Sequence, residues 1–345
     1  MIKIGLIGRA DNGGLGVQTK DFFDFVKPFK TLVVDISGLN GHTSYHEQRY
    51  EGMQVSSGFP TRSDLEPFLK GLDVVFTIET PYSYELLELA KQKNIKTIIQ
   101  YNYEFLDYLQ NNKLQLPDAL WSPSLWHFDE IVEKYGDKCR VIHMPPPVDR
   151  QRMKYLQRNK AQKFLHIAGR KTYEDRNGTF ILLDALQYIQ AQDIEIVIRT
   201  QQELPIIDDY RVKINNNDCM EYWNLYNDED VLLLPRKYGG LSLQLAEAMS
   251  CGMLAVMPDI SPQNKFLPSE LLMKYDRQFI INTRTEIDVY EVSAIELAKK
   301  IDYLAGLDKN KCGKLSRKMD DISKEWSWET MLPKYIEEMQ KLCSQ

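Results

Sequence analysis

The stretch VLLLPRKYGGLSLQLAEAMSCGMLAVMPD, residues 231–259, decides the fold of this chain. It runs from an apolar strand through a Gly-Gly turn into a helical pattern, and it ends in a second apolar strand. A strand, a helix and a strand of these lengths predict a right-handed crossover between neighbouring strands of a parallel sheet. Small residues in the helix allow close packing against that sheet: Ala246, Ala248, Ser250 and Gly252.

The same alternation extends over the rest of the chain. In the first half, strands are predicted at residues 2–8, 31–35, 72–79, 96–102 and 119–124. In the second half, they are predicted at residues 163–169, 194–200, 210–216, 231–236 and 252–259. Amphipathic segments separate these strands, so the predicted fold class is α/β, with two Rossmann-like doubly wound domains. Because ligands bind beyond the carboxyl ends of such strands, we expect the two domains to face each other across a cleft that holds the site.

One segment interrupts this alternation and indicates the domain boundary. Residues 144–162, MPPPVDRQRMKYLQRNKAQ, combine three prolines with a basic polar run, a composition typical of a linker. We therefore predict an N-terminal domain over residues 1–147 and a C-terminal domain over residues 148–324. Residues 325–345 predict a closing amphipathic helix. A length of 345 residues agrees with two domains of about 150 residues each.

Composition excludes several classes of protein. The 43 Lys and Arg against 49 Asp and Glu give a net charge of −6, which argues against coating of a polyanion over the whole surface. No apolar run approaches the roughly 20 residues that a membrane-spanning helix needs. The 5 cysteines are scattered without a C-x-x-C pair, so neither a disulfide scaffold nor a zinc ribbon is predicted. The compartment expected is reducing, namely the cytoplasm of a bacterium or of an infected host cell.

A glycine-rich loop, GRADNGGLG at residues 8–16, lies between the first strand and a helix beginning near Val17. Glycines let the backbone approach a ligand closely, and a helix N-terminus offers N–H groups to an anion. Asp35 ends the second strand, as in a dinucleotide-binding fingerprint, but Thr19 stands where that fingerprint has its third Gly or Ala. The loop also lacks the P-loop pattern G-x-x-x-x-G-K-[ST], so a P-loop is excluded. An anion-binding loop at the helix N-terminus and a glycine-rich turn without a ligand both remain open at this point.

Two arginines flank the first loop of the second domain. Arg170 and Arg176 lie in HIAGR…RNGT, and the forked donors of arginine suit phosphate oxygens. The alternative is that a solvated loop arginine pairs with Glu174 or Asp175. Further along, Glu247 is a lone acid on the helix after the Gly-Gly turn. Its carboxylate could accept both hydrogens of a ribose diol, or it could be a structural acid.

Together these motifs give the chain a family resemblance. The order of the glycine-rich loop, HIAGR…RNG and the stretch ending YGGLSLQLAEAMSCG resembles the GT-B glycosyltransferases, in particular the retaining family 4-type enzymes. WSPS and VIHMPPPVD resemble the strands and turn that lead into the linker of that family. The opening RADNGGLGVQT resembles phage-encoded members. The resemblance covers essentially the whole chain, and its second domain is the more specific part.

The resemblance implies a role for each candidate residue. It places the donor nucleotide-diphosphate sugar, such as a UDP-sugar, against residues of both domains: Gly13, Gly14, Gly16, Arg170, Arg176, Gly239, Gly240, Leu241, Ser242, Leu243 and Glu247. Arg170 and Arg176 match the basic pair on the diphosphate, and Glu247 matches the second acid of the family pattern E-x7-E. Gly239 stands where the first acid of that pattern is expected, which is a departure.

The implied reaction is retaining transfer of a hexose or pentose to an acceptor hydroxyl. Charge develops on the leaving phosphate, and the arginines and helix N-termini stabilise it, so neither a metal nor a further cofactor is required. A family histidine is missing from the first domain, where Glu79 and Glu104 are the remaining catalytic candidates beside Asn102 and Tyr103. Several tyrosines lie in this region, Tyr82 among them, and either stack on a sugar or belong to the core.

The acceptor stays open among a phage or bacterial glycan, a protein and a hydroxymethylated DNA base. Basic stretches at residues 150–154 and 158–160 could contact a DNA backbone, although the net charge gives that no support. Two other functions are weighed against transfer. One is a catalytically inactive GT-B module that binds a nucleotide or a partner, motivated by Gly239. The other is an NAD-dependent enzyme, motivated by Asp35.

Two patterns resemble metal sites, and neither predicts one. Asp228-Glu229-Asp230 has D-x-D spacing, but it directly precedes a buried strand, which favours a solvated turn. His42 and His46 are four residues apart without a third ligand in sight.

Overall fold

The computed structural model describes residues 2–11, 13–39, 53–110, 115–169, 173–217, 219, 221–240 and 242–345. The chain forms two compact units. Unit 1 takes the residues up to Pro146 together with Trp328–Gln345, and unit 2 takes Pro147–Ser327.

Unit 1 is built on one parallel sheet. Within the described ranges its strands are β1 Ile4–Arg9, β2 Lys30–Asp35, β3 Gln54–Ser57, β4 Val74–Glu79, β5 Lys96–Tyr101, β6 Ala119–Ser122 and β7 Arg140–His143. Its helices are α1 Gly14–Val26, α2 Arg62–Leu69, α3 Glu85–Gln92, α4 Phe128–Tyr135 and α9 Trp328–Cys343. The strand order is β3-β2-β1-β4-β5-β6-β7. The order reverses between β1 and β4, which makes the carboxyl ends of those two strands the expected ligand edge of this sheet.

The C-terminal helix α9 completes the core of unit 1. The ring of Trp328 stacks on Phe25 at a centroid distance of 4.9 Å, and Tyr335 meets Trp121 edge-on at the same distance. The strands β1 and β4 are buried along almost their whole length because helices cover both faces of a parallel sheet. Sequence analysis did not predict β3 or α2. The strand β3 is short and partly exposed, and α2 carries Pro67 within it, so both lack a clear periodic pattern.

Unit 2 repeats this plan. Its parallel strands in the described ranges are β8 Lys163–Gly169, β9 Glu195–Thr200, β10 Val212–Asn215, β11 Val231–Leu233, β12 Leu254–Pro258 and β13 Leu272–Met273. A separate antiparallel hairpin pairs β14 Arg277–Asn282 with β15 Glu286–Glu291. The helices are α5 Thr179–Ala185, α6 Leu243–Ser250, α7 Ala294–Ala305 and α8 Lys309–Lys324. The sheet order is β10-β9-β8-β11-β12-β13, with its reversal between β8 and β11. The predicted α/β class with two doubly wound sheets is confirmed.

The boundaries of some strands differ from the prediction, since β10 and β11 are shorter than the predicted ranges 210–216 and 231–236. The α5 helix stops at Ala185 and continues as a 3₁₀ turn over Leu186–Tyr188. The α6 helix begins at Leu243, after the glycine turn. Residues 144–162 hold a single β-bridge, at Val148, and are otherwise irregular. Among the described helices, none has both the length and the apolar character that crossing a bilayer requires.

Candidate functional site

Two arginine side chains converge at the carboxyl end of β11. Nε of Arg176 donates to the backbone carbonyl of Tyr238 at 3.3 Å, and Nε of Arg236 donates to the same oxygen at 3.0 Å. The guanidinium of Arg176 also lies over the Tyr238 ring, 5.1 Å from its centroid. One backbone oxygen therefore brings together two side chains from loops that follow different strands.

Gly239 makes this convergence possible. Its φ is 111°, a conformation that glycine adopts without strain. A Cβ added there would meet Nη2 of Arg176 and would lie 2.6 Å from Nη2 of Arg236. The position at which the family pattern expects an acid is thus bordered by two cations, and a side chain at residue 239 would displace them.

The loop that carries Arg236 is held in place by backbone bonds and an ion pair. Nζ of Lys237 lies 2.6 Å from Oε1 of Glu291, and Arg277 lies 3.0 Å from the other oxygen of that carboxylate. The amide of Lys237 donates to the carbonyl of Arg176 at 2.9 Å, which joins the two arginine loops directly. Glu291 therefore offsets the charge of Lys237.

The start of α5 is already capped by a carboxylate. Asp175 accepts from the amides of Thr179 and Phe180, at 3.0 and 2.9 Å. Arg176 reaches Tyr238, as described above, whereas the Asp175 carboxylate turns to the helix. Burial raises the pKa of Asp175, and the two amide bonds oppose that shift. The predicted partner arginine, Arg170, lies outside the described residues.

Glu247 sits in the interior of α6 with 7% of its surface exposed. The hydroxyl of Tyr226 donates to its Oε2 at 2.5 Å. Burial raises the pKa of Glu247 to about 7, and the Tyr226 bond acts in the opposite direction. Of the predicted loop residues before it, Ser242 is buried, and Gly240 and Leu243 are half-buried. Leu241 falls outside the described residues.

In unit 1, the glycine loop is organised around Asp11. Its carboxylate lies 2.5 Å from Arg9 and accepts from the amide of Gly13 at 2.7 Å. A Cβ on Gly16 would collide with the backbone carbonyl of Asp11, so only glycine fits in this turn of α1. Gly14 is exposed at the first position of the helix. Gly16 therefore serves the close packing of the loop on α1.

Glu79 occupies the carboxyl end of β4, beside the end of β1. It has a positive φ of 77°, a backbone conformation that costs a residue with a side chain about 1 kcal/mol or more. Nδ2 of Asn102 donates to its Oε1 at 3.1 Å. Burial raises the pKa of Glu79 to about 7; Arg9 and the Asn102 bond lower it, and the charges of Glu104 and Asp11 raise it. Glu79 and Glu104 are both candidates from the sequence, and the charge of Glu104 contributes to the raised pKa of Glu79.

Two further candidates from the sequence, Asp230 and Asp35, accept hydrogen bonds from nearby backbone amides. Oδ2 of Asp230 accepts from the amides of Gln162 and Lys163 at 3.0 Å each, which ties the D-x-D segment to the start of β8. Asp35 accepts from the amide of Ser37 at 2.9 Å. His42 and His46 lie outside the described residues. Across the described ranges, no three His, Cys, Asp or Glu side chains group closely enough to hold a metal ion.

Comparison with solved structures identifies the fold. A glycosyltransferase from Rickettsia africae ESF-5 superposes with a TM-score of 0.69 at 14% identity, covering 99% of this chain and 98% of that one. Sucrose-phosphate synthase from Thermosynechococcus elongatus gives 0.68 at 12% identity, with all of both chains covered. HepE from Anabaena, in complex with UDP and glucose, gives 0.66 at 13% identity, covering 99% and 100%.

The fold is GT-B. No protein-family model matches the chain. A curated relative, the ESX secretion system protein YukC of Bacillus subtilis, is 28% identical over 118 residues, or 32% of this chain. The matched segment spans 26% of YukC, about a quarter of that protein's length.

Sequence reasoning missed three residues of these two GT-B sheet edges. Arg236 directly follows the apolar run of β11, and a charged residue at that position was the available signal. Arg9 ends β1 in the same way. Tyr226 lies in a 3₁₀ segment, Tyr222–Tyr226, in which it is buried. Its link to Glu247, 21 residues later, has no local sequence signature.

Proposed function

We propose that this chain is a glycosyltransferase that moves a sugar from a nucleotide-diphosphate sugar to an acceptor hydroxyl. The observation that carries the proposal is the convergence of Arg176 and Arg236 at Gly239, on the sheet edge where α/β proteins bind ligands. Two guanidiniums at one point suit the adjacent phosphates of a diphosphate. The fold by itself does not establish this function, because proteins with the same fold have many different activities. Support also comes from HepE of Anabaena, a structural neighbour that was solved in complex with UDP.

The chemistry follows from where charge develops. The bond between the anomeric carbon and the phosphate oxygen breaks, and its electron pair stays on the nucleotide diphosphate. The acceptor oxygen then bonds to the anomeric carbon, and its proton passes to the leaving phosphate. Arg176 and Arg236 stabilise the diphosphate charge as it forms, which is the role of a fixed electrostatic environment. We propose retention of the anomeric configuration, a hexose or pentose as the sugar, and turnover without a divalent metal.

Glu247 is proposed to bind the ribose of the donor. The Tyr226 bond holds one carboxylate oxygen and so orients the group. The α6 helix starts four residues after Gly239, which brings its N-terminal amides and positive dipole end to the same loop as the arginines. Arg170, by its spacing from Arg176, is proposed as a further diphosphate ligand.

The test compares Arg176→Ala, Arg236→Ala and the double variant with Arg317→Ala, an exposed arginine on α8 of the same unit. Calorimetry would measure the affinity for UDP, GDP and ADP, and release of nucleotide diphosphate would be followed with a panel of nucleotide sugars in buffer containing EDTA. Each site variant should lose at least about tenfold in affinity or turnover, ~1.4 kcal/mol, while the control stays near wild type.

Three other results would argue against the proposed donor site or the proposed reaction. Wild-type nucleotide affinity in both arginine variants would contradict the donor site. Saturable nucleotide binding without release of diphosphate from any sugar would indicate an inactive binding module. Thermal stabilisation by NAD, and by neither UDP nor GDP, would favour an NAD-dependent enzyme instead. Where transfer occurs, NMR of the product's anomeric proton decides between retention and inversion.

A further inference from the structure

A histidine ring lies in the interior of unit 2, between the two segments that carry the site arginines. His166 is in the middle of β8, and 0% of its surface is exposed. Its Nδ1 lies 3.0 Å from the backbone carbonyl of Leu233, at the end of β11. Its Nε2 lies 2.9 Å from the hydroxyl of Thr179, which is also fully buried at the start of α5. One side chain therefore joins the strand that leads to Arg236 with the helix that follows Arg176.

The two bonds determine which nitrogen of the ring carries the proton. A carbonyl oxygen can only accept, so Nδ1 is the donor to Leu233. Burial lowers the pKa of His166 to about 4, so the ring is neutral at physiological pH and Nε2 has a free lone pair. The hydroxyl of Thr179 therefore donates to Nε2. Both nitrogens are taken up by these bonds, so the ring orients its neighbours and has no polar atom to offer a ligand.

Two further contacts join the same pair of segments. The amide of Lys237 donates to the carbonyl of Arg176 at 2.9 Å. A Cβ added to Gly178 would collide with the carbonyl of Pro235, so the two backbones touch at that point. The partners follow each other in reverse order along the chain, which means that the segments run past each other in opposite directions. The link through His166 is made by side chains, so substitution can remove it and leave the backbone unchanged.

The link through His166 lies at the same distance along the chain from both arginines. Arg176 precedes Thr179 by three residues. Arg236 follows Leu233 by three residues, and both guanidiniums converge at the carbonyl of Tyr238. Two adjacent phosphates can contact both guanidiniums at once, whereas a single phosphate has one group to offer. A shift of one segment against the other therefore weakens the binding of a diphosphate more than that of a monophosphate.

We propose that His166 is a positioning residue of the donor site. Through its two bonds it sets the separation of the Arg176 and Arg236 guanidiniums, and in this way it favours a nucleoside diphosphate over the monophosphate. The inference rests on the proposed function, since it explains selectivity at the diphosphate site proposed above. An apolar side chain would fill the same space without the cost of burying a polar ring, so packing by itself does not require a histidine at this position.

The experiment compares the affinity for diphosphates with the affinity for monophosphates. Calorimetry on the full chain would use UDP and UMP, GDP and GMP, and ADP and AMP, and thermal unfolding would record the stability of each protein. Thr179→Val removes the hydroxyl and keeps the branched side chain, and Thr179→Ser keeps the hydroxyl. His166→Asn removes the same bond from the other side, because the shorter amide keeps a donor near Leu233 and does not reach Thr179. The control is Thr97→Val in unit 1, which removes a buried hydroxyl that donates to Asp118 at 3.0 Å.

We expect the wild type to bind at least one diphosphate more tightly than the matching monophosphate. Thr179→Val and His166→Asn should each lower that ratio of affinities by about fivefold or more, the effect of one lost hydrogen bond. Thr179→Ser and Thr97→Val should keep the wild-type ratio. A loss of stability by itself leaves the ratio unchanged, because a smaller folded fraction lowers the affinity for both nucleotides by the same factor.

An unchanged ratio in Thr179→Val overturns the inference, and this variant decides if His166→Asn does not fold. An equal fall of the ratio in Thr97→Val also overturns it, since any buried hydroxyl would then have the same effect. Failure of the proposed function gives a different result: the wild type binds no diphosphate, or Arg176→Ala binds it as the wild type does. Weakened binding in Arg176→Ala together with a wild-type ratio in Thr179→Val counts against the role of His166 alone.

Discussion

The hydroxyl of Tyr226 lies 2.5 Å from Oε2 of Glu247, and both side chains are almost wholly removed from solvent. A buried carboxyl with a single phenolic partner keeps its proton longer than an exposed one, and its pKa rises to about 7. Ionisation of this group is therefore coupled to folding.

The first prediction follows from that coupling. The pKa of Glu247 is about 7 in the folded chain, above its ordinary value of 4.5. Its contribution to the free energy of unfolding is therefore fully present below pH 4.5 and is lost as the pH rises through about 7. This group should lower the free energy of unfolding by on the order of 3 kcal/mol between about pH 4.5 and pH 7 or above. Glu247→Gln should remove that part of the pH dependence in urea unfolding curves. Tyr226→Phe should steepen it, because the lost bond favours the ionised form. If the difference in the free energy of unfolding between wild type and Glu247→Gln stayed constant from about pH 5 to pH 8, the raised pKa of Glu247 would be contradicted.

The second prediction concerns Gly239. In Gly239→Ala, the new methyl group would push against both guanidiniums, so UDP affinity should fall by about tenfold or more. The matched control is Gly71→Ala, which has a similar positive φ of 79° and nothing within 4 Å of the added Cβ. Both variants should lose about 1–2 kcal/mol of stability from backbone strain, and only the first should lose nucleotide binding. If calorimetry gave Gly239→Ala the same UDP affinity as wild type, the arginines would tolerate displacement without loss of binding.

A third prediction separates two helical glycines. Alanine is favoured over glycine in a helix by about 1 kcal/mol, so Gly→Ala is normally stabilising there. In Gly313→Ala, on α8, the added Cβ meets only the ends of flexible side chains, the nearest being Gln157 at 2.9 Å and Asn159 at 3.4 Å, and the protein should be as stable as wild type or more so. In Gly16→Ala, the Cβ collides with the backbone carbonyl of Asp11, and we expect a loss of about 2 kcal/mol or more. Thermal unfolding of both variants tests this, and a stable Gly16→Ala protein would refute the close approach.

The fourth prediction concerns the ion pair beneath the arginine loop. Lys237 has 9% and Glu291 18% of the side chain exposed, and they lie 2.6 Å apart. Lys237→Met should cost about 3 kcal/mol because it leaves the carboxylate with Arg277 alone. Lys213→Met is the control, since Lys213 is 67% exposed in its pair with Glu195 and should cost less than about 1 kcal/mol. Denaturant midpoints measured at low and high salt should separate the two, and equal losses would mean that the Lys237 pair is solvated.

Part of the candidate site was predictable because its residues lie where apolar strands end. Glu79 is the last residue of β4, and Arg176 lies in the loop that follows β8. The carboxyl ends of parallel strands meet at the same end of a sheet, where ligands bind. Arg236 and Tyr226 were not predicted. Tyr226 contacts Glu247, 21 residues later, and a single sequence has no periodic signal for such a contact. Arg236 bonds to Tyr238 two residues later, but its convergence with Arg176 depends on a loop 60 residues away.

What the sequence by itself determined is the alternation of strands and helices, hence two doubly wound sheets, together with the glycines that the tight turns require. Those features depend on neighbours within a few residues, and local periodicity records them. Only the tertiary structure decided that Gly239 leaves room for Arg176 and Arg236, and that the Asn102 side chain donates to Glu79. Those relationships depend on which strands become neighbours in the sheet, β8 beside β11 and β4 beside β5. That choice is made by packing over the whole domain rather than by any short stretch of chain.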